Sequence, residues 1–386
     1  MRTSGATQVA DLAQTFAQMG HSITVVLPNP AQAEDLIVSK RQGCDILSVR
    51  ALRTKDVNYL YRTLAEFINP LLMWHRLQKL KCLEGKKIEG VVWYSPSIFW
   101  GPLVKRIKEK FSCKAYLILR DIFPDWAYDL GLLNNPFAYK ILKWAEAYQY
   151  AQANRIGIQS PNNEIYFRNK NPNIRATLEV LWNWVAADSQ NIPCSINIHN
   201  SSLAGRKIAV YAGNMGVAQN MDTLIQLAID HQGDAGWGFV FVGRGSEQVR
   251  LKEVAVKHQL ANIIFFDEIP SDQIPALYAQ CDIGMLSLDT RHTTHNIPGK
   301  FVTYLQAGLP VLAIVNSGND LIELITKNQV GVVISKNHCE EISKAFGHLK
   351  DQLKNDSQIQ GRCQTLAQEL FSPTRAAQQI IHQLSS

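Results

Sequence analysis

The segment 295–310, HNIPGKFVTYLQAGLP, combines residue types that suit the binding of an anion. His295, Gly299 and Lys300 precede or open a helical pattern, and Thr303 shares a face with Lys300 near the helix start. The N–H groups at a helix N-terminus attract phosphate, and a neighbouring cation strengthens this attraction. Two interpretations stay open from these residues: a diphosphate-binding site, or an ordinary helix start with a solvated lysine and a capping asparagine.

Two glycine-bearing turns lie upstream of this segment. YAGNMGVAQ places Gly213, Asn214 and Gly216 between a strand and a helix, and FVGRGSEQ does the same with Gly243 and Arg244. Glycine lets the backbone approach a ligand closely. Each turn alone is better explained as a plain strand–helix joint, but three such segments in one domain favour a nucleotide.

The first half of the chain has its own candidate, LRDIFPDWAYDLG at 119–131. Arg120, Asp121 and Asp125 follow an apolar strand there. Such groups could bind substrate hydroxyls or handle a proton, with Asp121 as the candidate acid–base residue. A salt-bridged loop is the alternative, and composition alone favours it.

The segment 59–83 mixes aromatic and aliphatic residues with cations, among them Arg76, Lys79 and Lys81. A basic amphipathic helix can lie on an anionic membrane. The more common arrangement is packing on the protein's own sheet, so membrane contact is the minor alternative.

These residues must be positioned by α/β elements, because short apolar runs alternate with helical patterns along the chain. Strands are predicted at 21–28, 44–51, 88–96, 114–122 and 155–161, and again at 207–213, 238–245, 262–269, 282–288, 310–316 and 330–335. This alternation predicts parallel sheets covered on both faces. In the predicted helix that contains Lys300, the residues Phe301, Tyr304 and Leu305 share one face and are expected to pack on such a sheet.

The polar segment 186–205 interrupts the alternation and is predicted to be a linker. We therefore predict two Rossmann-like α/β domains, 1–185 and 206–366, with the chemistry in a cleft between them at the carboxyl ends of the strands. The first domain begins at a glycine-containing turn, so its first strand is expected to be missing.

Composition narrows the class of protein. The chain has 386 residues, a net charge of +6 and seven cysteines without a C-x-x-C pair. These features argue against a zinc site or a disulfide framework and favour a reducing compartment. No apolar run is long enough to cross a bilayer, and no signal-peptide core is evident. We expect a cytosolic protein that does not bind nucleic acid.

Taken in order, YAGNMGVAQNMDTLI, FVGRGSE and IPGKFVTYLQAGLPVLA resemble the retaining GT-B glycosyltransferases of family 4. The similar subgroup builds O-antigen and capsule polysaccharide and includes L-fucosamine transferases. RDIFPDWAYDLGLL and VLWNW resemble further motifs of the subgroup, and FSPTRAAQQIIHQL resembles its C-terminal helix, here 367–386, which crosses back to the first domain.

The resemblance implies a GT-B fold in which the second domain binds a nucleotide-sugar and the first binds the acceptor. Lys300 and Arg244 would neutralise the leaving diphosphate without a metal or another cofactor. The remaining donor-binding residues implied or predicted are Gly213, Asn214, Gly216, Gly243, His295, Gly299, Thr303, Asp320 and Glu323. The expected donor is a UDP-sugar, with a GDP-sugar as the alternative. The expected acceptor is an undecaprenyl-diphosphate-linked saccharide at the cytosolic face of the membrane.

The chain also departs from this family. Many members carry two glutamates eight residues apart where His295 and Thr303 stand here. Ribose binding would then need other groups. Two alternatives to a transferase therefore stay open: a catalytically impaired GT-B scaffold protein and, with less support, a nucleotide-sugar epimerase.

Overall fold

The computed structural model describes residues 4–129, 131–186, 192–289, 297–335 and 339–385. The chain forms two compact units. The first comprises 1–182 together with 373–386, and the second comprises 183–372. Of the predicted linker 186–205, residues 192–205 therefore lie within the second unit, where Ile198 and Leu203 are buried.

The first unit contains two sheets with flanking helices. Its strands are β1 (Ile23–Asn29), β2 (Leu36–Arg41), β3 (Cys44–Arg50), β4 (Gly90–Tyr94), β5 (Lys114–Leu119), β6 (Arg155–Ile158) and β7 (Thr177–Val180). Its helices are α1 (Ser4–Gln18), α2 (Tyr59–Lys79), α3 (Gly101–Phe111), α4 (Asp125–Asp129), α5 (Pro136–Tyr150), α6 (Pro161–Lys170) and α14 (Pro373–Ser385). One sheet has the order β1-β3-β2, and the other has the parallel order β4-β5-β6-β7.

The second unit is built on one parallel sheet. Its strands are β8 (Lys207–Ala212), β9 (Trp237–Val242), β10 (Ile263–Phe266), β11 (Ile283–Ser287), β12 (Val311–Ile314) and β13 (Gly331–Ile334). Its helices are α7 (Asp222–Asp230), α8 (Gln248–Lys257), α9 (Ile274–Tyr278), α10 (Gly299–Gln306), α11 (Leu321–Asn328), α12 (Cys339–Asn355) and α13 (Ile359–Phe371). The strand order β10-β9-β8-β11-β12-β13 is that of a doubly wound fold, in which ligands bind at the carboxyl ends of the strands.

The predicted alternation of strands and helices is confirmed, but two strands of the first unit, β2 and β7, were not predicted. The expectation of purely parallel sheets is wrong at β2, which runs antiparallel to β3. This strand was not predicted, because its side chains are mostly exposed and give no continuous apolar run. The short strand β7, TLEV, was also not predicted from the sequence.

Helix α10 is fixed to the centre of the second sheet through Tyr304. Its single O–H has two carbonyl oxygens as acceptors, those of Val210 at 3.2 Å and Met285 at 3.1 Å, and its oxygen accepts from the amide of Ala212. Gly284 allows this contact, because a Cβ there would lie 2.4 Å from the tyrosine ring. The predicted packing on the sheet is therefore confirmed for Tyr304, whereas the Phe301 ring meets Phe371 of α13 edge to face at 6.0 Å.

Within the described ranges, no helix combines the length and the apolar character that a bilayer crossing requires.

Candidate functional site

The site is organised around Lys300 in the first turn of α10. This helix was predicted from the sequence, and in the structure it begins at Gly299, directly after Pro298. Asn183 supports the preceding residue by donating from its Nδ2 to the carbonyl oxygen of Ile297 at 2.9 Å. The position of Lys300 is therefore determined by a helix docked on the sheet and by a buried amide that holds the incoming chain.

Tyr211, the penultimate residue of β8, receives the Lys300 side chain. The Lys300 Nζ donates to the Tyr211 Oη at 2.6 Å and lies 3.9 Å from the centroid of the ring. The Tyr211 hydroxyl in turn donates to the carbonyl oxygen of Asn214 at 2.6 Å. This relay connects α10 to the turn after β8.

Burial lowers the pKa of Lys300 to about 7. The residue as a whole is partly exposed, but its ammonium lies against Tyr211 and beside Gly213. Burial also raises the pKa of Tyr211, so its hydroxyl stays neutral and accepts the lysine hydrogen bond without adding a countercharge. An anion that reaches this lysine would stabilise its charged form.

The glycine turns after β8 and β9 interlock. A Cβ on Gly243 would lie 2.0 Å from the carbonyl oxygen of Gly213, and one on Gly245 would lie 2.2 Å from that of Met215. The amide of Met215 donates to the carbonyl oxygen of Arg244 at 2.8 Å. These glycines thus have a packing reason besides any approach of a ligand, and their donor-binding role stays a prediction.

Gly213 also borders the lysine directly. A Cβ at this position would lie 3.3 Å from the Lys300 Nζ. In the same turn, Gln219 accepts hydrogen bonds from the Gly216 amide and the Asn214 Nδ2, both at 3.1 Å. The structure therefore brings together Lys300 and the predicted residues Gly213, Asn214 and Gly216.

Arg244 has a different immediate partner. Its Nε lies 3.0 Å from the Glu268 Oε2, and its side chain is 72% exposed. Sequence reasoning did not identify Glu268 as this partner, because the two residues follow neighbouring strands. Binding of a diphosphate by Arg244 would compete with this exposed ion pair.

The other predicted donor-binding residues of the second unit have mixed surroundings. The Thr303 hydroxyl donates to the Lys300 carbonyl oxygen at 3.0 Å, within its own helix. Asp320 is buried at the start of α11, whereas Glu323 is exposed in its first turn. Gly299 faces open space, since no atom would lie within 4 Å of a Cβ there. His295 lies outside the described residues.

The candidate acid Asp121 lies in the first unit, directly after β5. Burial raises its pKa, and the neighbouring Arg120 partly opposes this shift. The guanidinium of Arg120 donates to the carbonyl oxygens of Leu181 and Trp182, at 2.7 and 3.2 Å. Arg120 therefore connects the end of β5 to the segment that follows β7. Asp121 has the raised pKa of a group that can carry a proton.

Asp125 belongs to a buried network that the sequence did not reveal. Its carboxylate accepts from the Tyr139 hydroxyl at 2.7 Å and from the Lys143 Nζ at 3.0 Å. The same ammonium contacts Glu146, which also accepts from the Tyr150 hydroxyl at 2.9 Å. Both carboxylate side chains are 0% exposed. Of the two interpretations of this segment, the salt-bridged structure rather than a substrate-binding or proton-handling group therefore describes Asp125.

This arrangement in the second unit defines the class of protein. Two α/β units, with a doubly wound parallel sheet in the second, constitute a GT-B fold. Residues 206–352, which hold Lys300 and both interlocked turns, match the model of the family described as Glycosyl transferases group 1.

Two curated proteins are similar to this chain over a shared segment. Probable glycosyltransferase WbjE of Pseudomonas aeruginosa is 24% identical over 225 residues, covering 56% of this chain and 55% of that protein. Putative colanic acid biosynthesis glycosyl transferase WcaI of Escherichia coli (strain K12) is 22% identical over 229 residues, covering 58% and 55%. The chain thus spans about half the length of the curated relatives it matches.

Among solved structures, the fold is similar to an E. coli protein described as trehalose-6-phosphate bound with UDP-2-fluoro glucose. The TM-score is 0.70 at 8% identity, covering 100% of this chain and 97% of that one. At this identity the likeness shows the fold alone.

Proposed function

We propose that this chain is a retaining glycosyltransferase that transfers a sugar from a nucleotide diphosphate donor to a lipid-linked acceptor. The observation that carries the proposal is the Lys300 ammonium, held against Tyr211 at the N-terminal end of α10. The match of residues 206–352 to glycosyl transferases and the names of the two relatives support this chemistry.

In this mechanism the second unit binds the donor. Lys300 and the first-turn amides of α10 stabilise the negative charge that develops on the leaving diphosphate. Arg244 releases its ion pair with Glu268 and binds an oxygen of the donor diphosphate instead. The pathway we infer is O-antigen or capsule synthesis, since one similar relative is described as a colanic acid biosynthesis enzyme.

The acceptor hydroxyl attacks from the face that the nucleotide leaves, so the anomeric configuration is retained. The bond from the anomeric carbon to the diphosphate oxygen breaks, and the diphosphate takes the hydroxyl proton. Asp121, with its raised pKa, is the proposed alternative carrier of that proton. We propose UDP as the carrier nucleotide and an N-acetylated deoxysugar such as L-fucosamine as the transferred group, both from the family resemblance.

The lipid-linked acceptor places the reaction at the cytosolic face of a membrane, and the segment 59–83 is the proposed site of peripheral contact. The acceptor we propose is a saccharide on undecaprenyl diphosphate.

The test is transfer from a panel of UDP- and GDP-sugars to an undecaprenyl-diphosphate-linked acceptor. We expect transfer with retention, and a turnover lower by roughly a hundredfold or more in Lys300→Ala, as for loss of a key charge stabiliser. Lys327→Ala, which removes an exposed lysine from α11 of the same unit, is the matched control and should be unchanged.

Near-normal turnover of Lys300→Ala would remove this lysine from the mechanism. Isomerisation of the donor without transfer would identify an epimerase instead. Failure to bind any donor would favour the scaffold alternative.

A further inference from the structure

Helix α2 presents an apolar stripe on the side opposite to its packed face. Ala65, Met73 and Leu77 are buried on one side of the helix. The stripe on the other side consists of Leu60, Leu64, Phe67 and Leu71, which follow the i, i+4, i+7, i+11 spacing of one helix face. All four are exposed, and Leu60 is 86% exposed. Exposed apolar surface of this extent typically marks a site of interaction.

Helix α5 carries a second stripe of the same kind. Phe137, Ile141 and Trp144 are exposed at i, i+4 and i+7, and Trp144 is 63% exposed. The Trp144 ring stacks on Tyr148, with centroids 6.1 Å apart. Large aromatic and aliphatic side chains on two helices of the first unit therefore face the outside.

A groove joins the two stripes. It has a volume of about 560 Å³ and is walled by Phe67 and Leu71 from α2 and by Trp144 and Tyr148 from α5. Phe99 contributes to the lining and meets Phe67 edge to face at 6.2 Å. The two stripes and this groove are called the α2–α5 face below. Its shape and lining suit a hydrocarbon chain.

Cations border the groove. Helix α3, GPLVKRIKEKF, has four lysine or arginine residues and one glutamate, and its Lys105, Arg106 and Glu109 line the groove. Lys105 lies 3.7 Å from Glu109, whereas Arg106 is exposed and forms no salt bridge within the described part of the chain. The border therefore has a net positive charge.

We propose that the α2–α5 face docks on an anionic lipid bilayer, with one lipid chain in the groove and a lipid phosphate at Arg106 and Lys105. Interfacial helices bind membranes through an apolar face flanked by cations, and aromatic side chains favour the headgroup region. This inference deepens the proposed function by identifying the surface that meets the membrane, and it relies on that function only for the lipid-linked acceptor.

Charge decides against a second copy of the chain as the occupant. In a symmetric dimer through this face, the cations of α3 in one copy would approach those of the other or remain beside an apolar contact. An anionic bilayer instead attracts these cations, because its surface potential is negative.

The test is co-sedimentation with vesicles of phosphatidylcholine, prepared with and without phosphatidylglycerol. We expect binding to the phosphatidylglycerol vesicles and much weaker binding to phosphatidylcholine alone. The double variant Leu64→Glu/Trp144→Glu and the single variant Arg106→Glu should each lose roughly tenfold in affinity. Val256→Glu is the control, because Val256 is an equally apolar and 78% exposed residue on α8 of the second unit.

Calorimetric binding of UDP and thermal unfolding of each variant separate this inference from the proposed function and from misfolding. A protein that binds UDP but not the anionic vesicles would overturn the docking surface and leave the transferase intact. Equal vesicle binding by all variants would also overturn it. So would a concentration-dependent dimer that Leu64→Glu/Trp144→Glu abolishes.

Discussion

The Lys300 ammonium lies 2.6 Å from the Tyr211 hydroxyl oxygen and 3.9 Å from the centroid of the same ring. The lysine comes from the first turn of α10, and the tyrosine from the carboxyl end of β8. Because Tyr211 also donates to the Asn214 carbonyl oxygen, the pair joins the predicted phosphate-binding helix to the predicted phosphate-binding turn.

Removal of the Tyr211 hydroxyl should impair transfer more than stability. Tyr211→Phe keeps the ring beneath the ammonium but deletes an acceptor for a charged donor, an interaction that contributes about 1.5–3 kcal/mol. We expect kcat/KM for the donor to fall by roughly tenfold or more. Steady-state kinetics would check this, with Tyr166→Phe as the control, since the Tyr166 hydroxyl donates to Asp129 in the first unit. Unchanged kcat/KM would show that Lys300 functions without the hydrogen bond to the Tyr211 hydroxyl.

Donor affinity should depend on the ionisation of Lys300. Burial lowers the pKa of this lysine to about 7, so the free protein loses its positive charge as the pH rises above that value. A diphosphate favours the charged form, and its binding therefore takes up a proton. Calorimetry of UDP binding should show affinity falling by roughly tenfold or more between about pH 7 and pH 9.

Lys300→Arg provides the control for this pH dependence, because a guanidinium stays charged over the same range. Its UDP affinity should be nearly constant between those pH values. A wild-type affinity that is equally constant would contradict the assignment of the titrating group.

The sequence predicted α10 and its lysine because both leave local signals. The apolar residues Phe301, Tyr304 and Leu305 repeat at helical spacing, and Lys300 stands at the start of that pattern. Such signals depend on neighbours within one helix, so they can be recognised without knowledge of the tertiary structure.

Tyr211 and Glu268 were missed because their partners are distant along the chain. Tyr211 is the penultimate residue of an apolar strand, a position typical of a core aromatic residue, and only the docking of α10 brings Lys300 to it. Glu268 meets Arg244 because β9 and β10 are neighbours in the sheet. Strand order and the helix register above it are non-local properties, which periodicity does not specify.

The buried carboxylates near α5 predict a pH-dependent stability. Burial raises the pKa of Glu146 to about 7, with Lys143 opposing the shift. Because the folded-state pKa lies above the unfolded value near 4.5, the protonated carboxyl stabilises the fold most below that lower value. This contribution is lost as the pH rises through about 7, and at roughly 1.4 kcal/mol per pKa unit it amounts to about 3 kcal/mol.

Glu146→Gln should remove most of this dependence, since an amide does not titrate. Chemical unfolding at about pH 5 and pH 8 would measure the difference for wild type and variant. Glu253→Gln, at an exposed position on α8, should keep the wild-type pH profile. A Glu146→Gln profile identical to wild type would assign the pH dependence to other groups.

Substitution by alanine should affect the stability of the second unit very differently at two glycines near the site, Gly243 and Gly299. Gly243 has φ of +146°, and its added Cβ would lie 2.0 Å from the backbone oxygen of Gly213. Gly243→Ala should therefore force the two interlocked turns apart, destabilise the second unit by about 2–4 kcal/mol and raise the KM for the donor.

Gly299→Ala is the matched control, because its Cβ would meet no atom within 4 Å. At the start of α10 it should leave stability within about 1 kcal/mol of wild type or raise it slightly. Thermal unfolding and donor kinetics of the two variants would decide the matter, and a Gly243→Ala protein as stable as Gly299→Ala would show that the turns are not interlocked in solution.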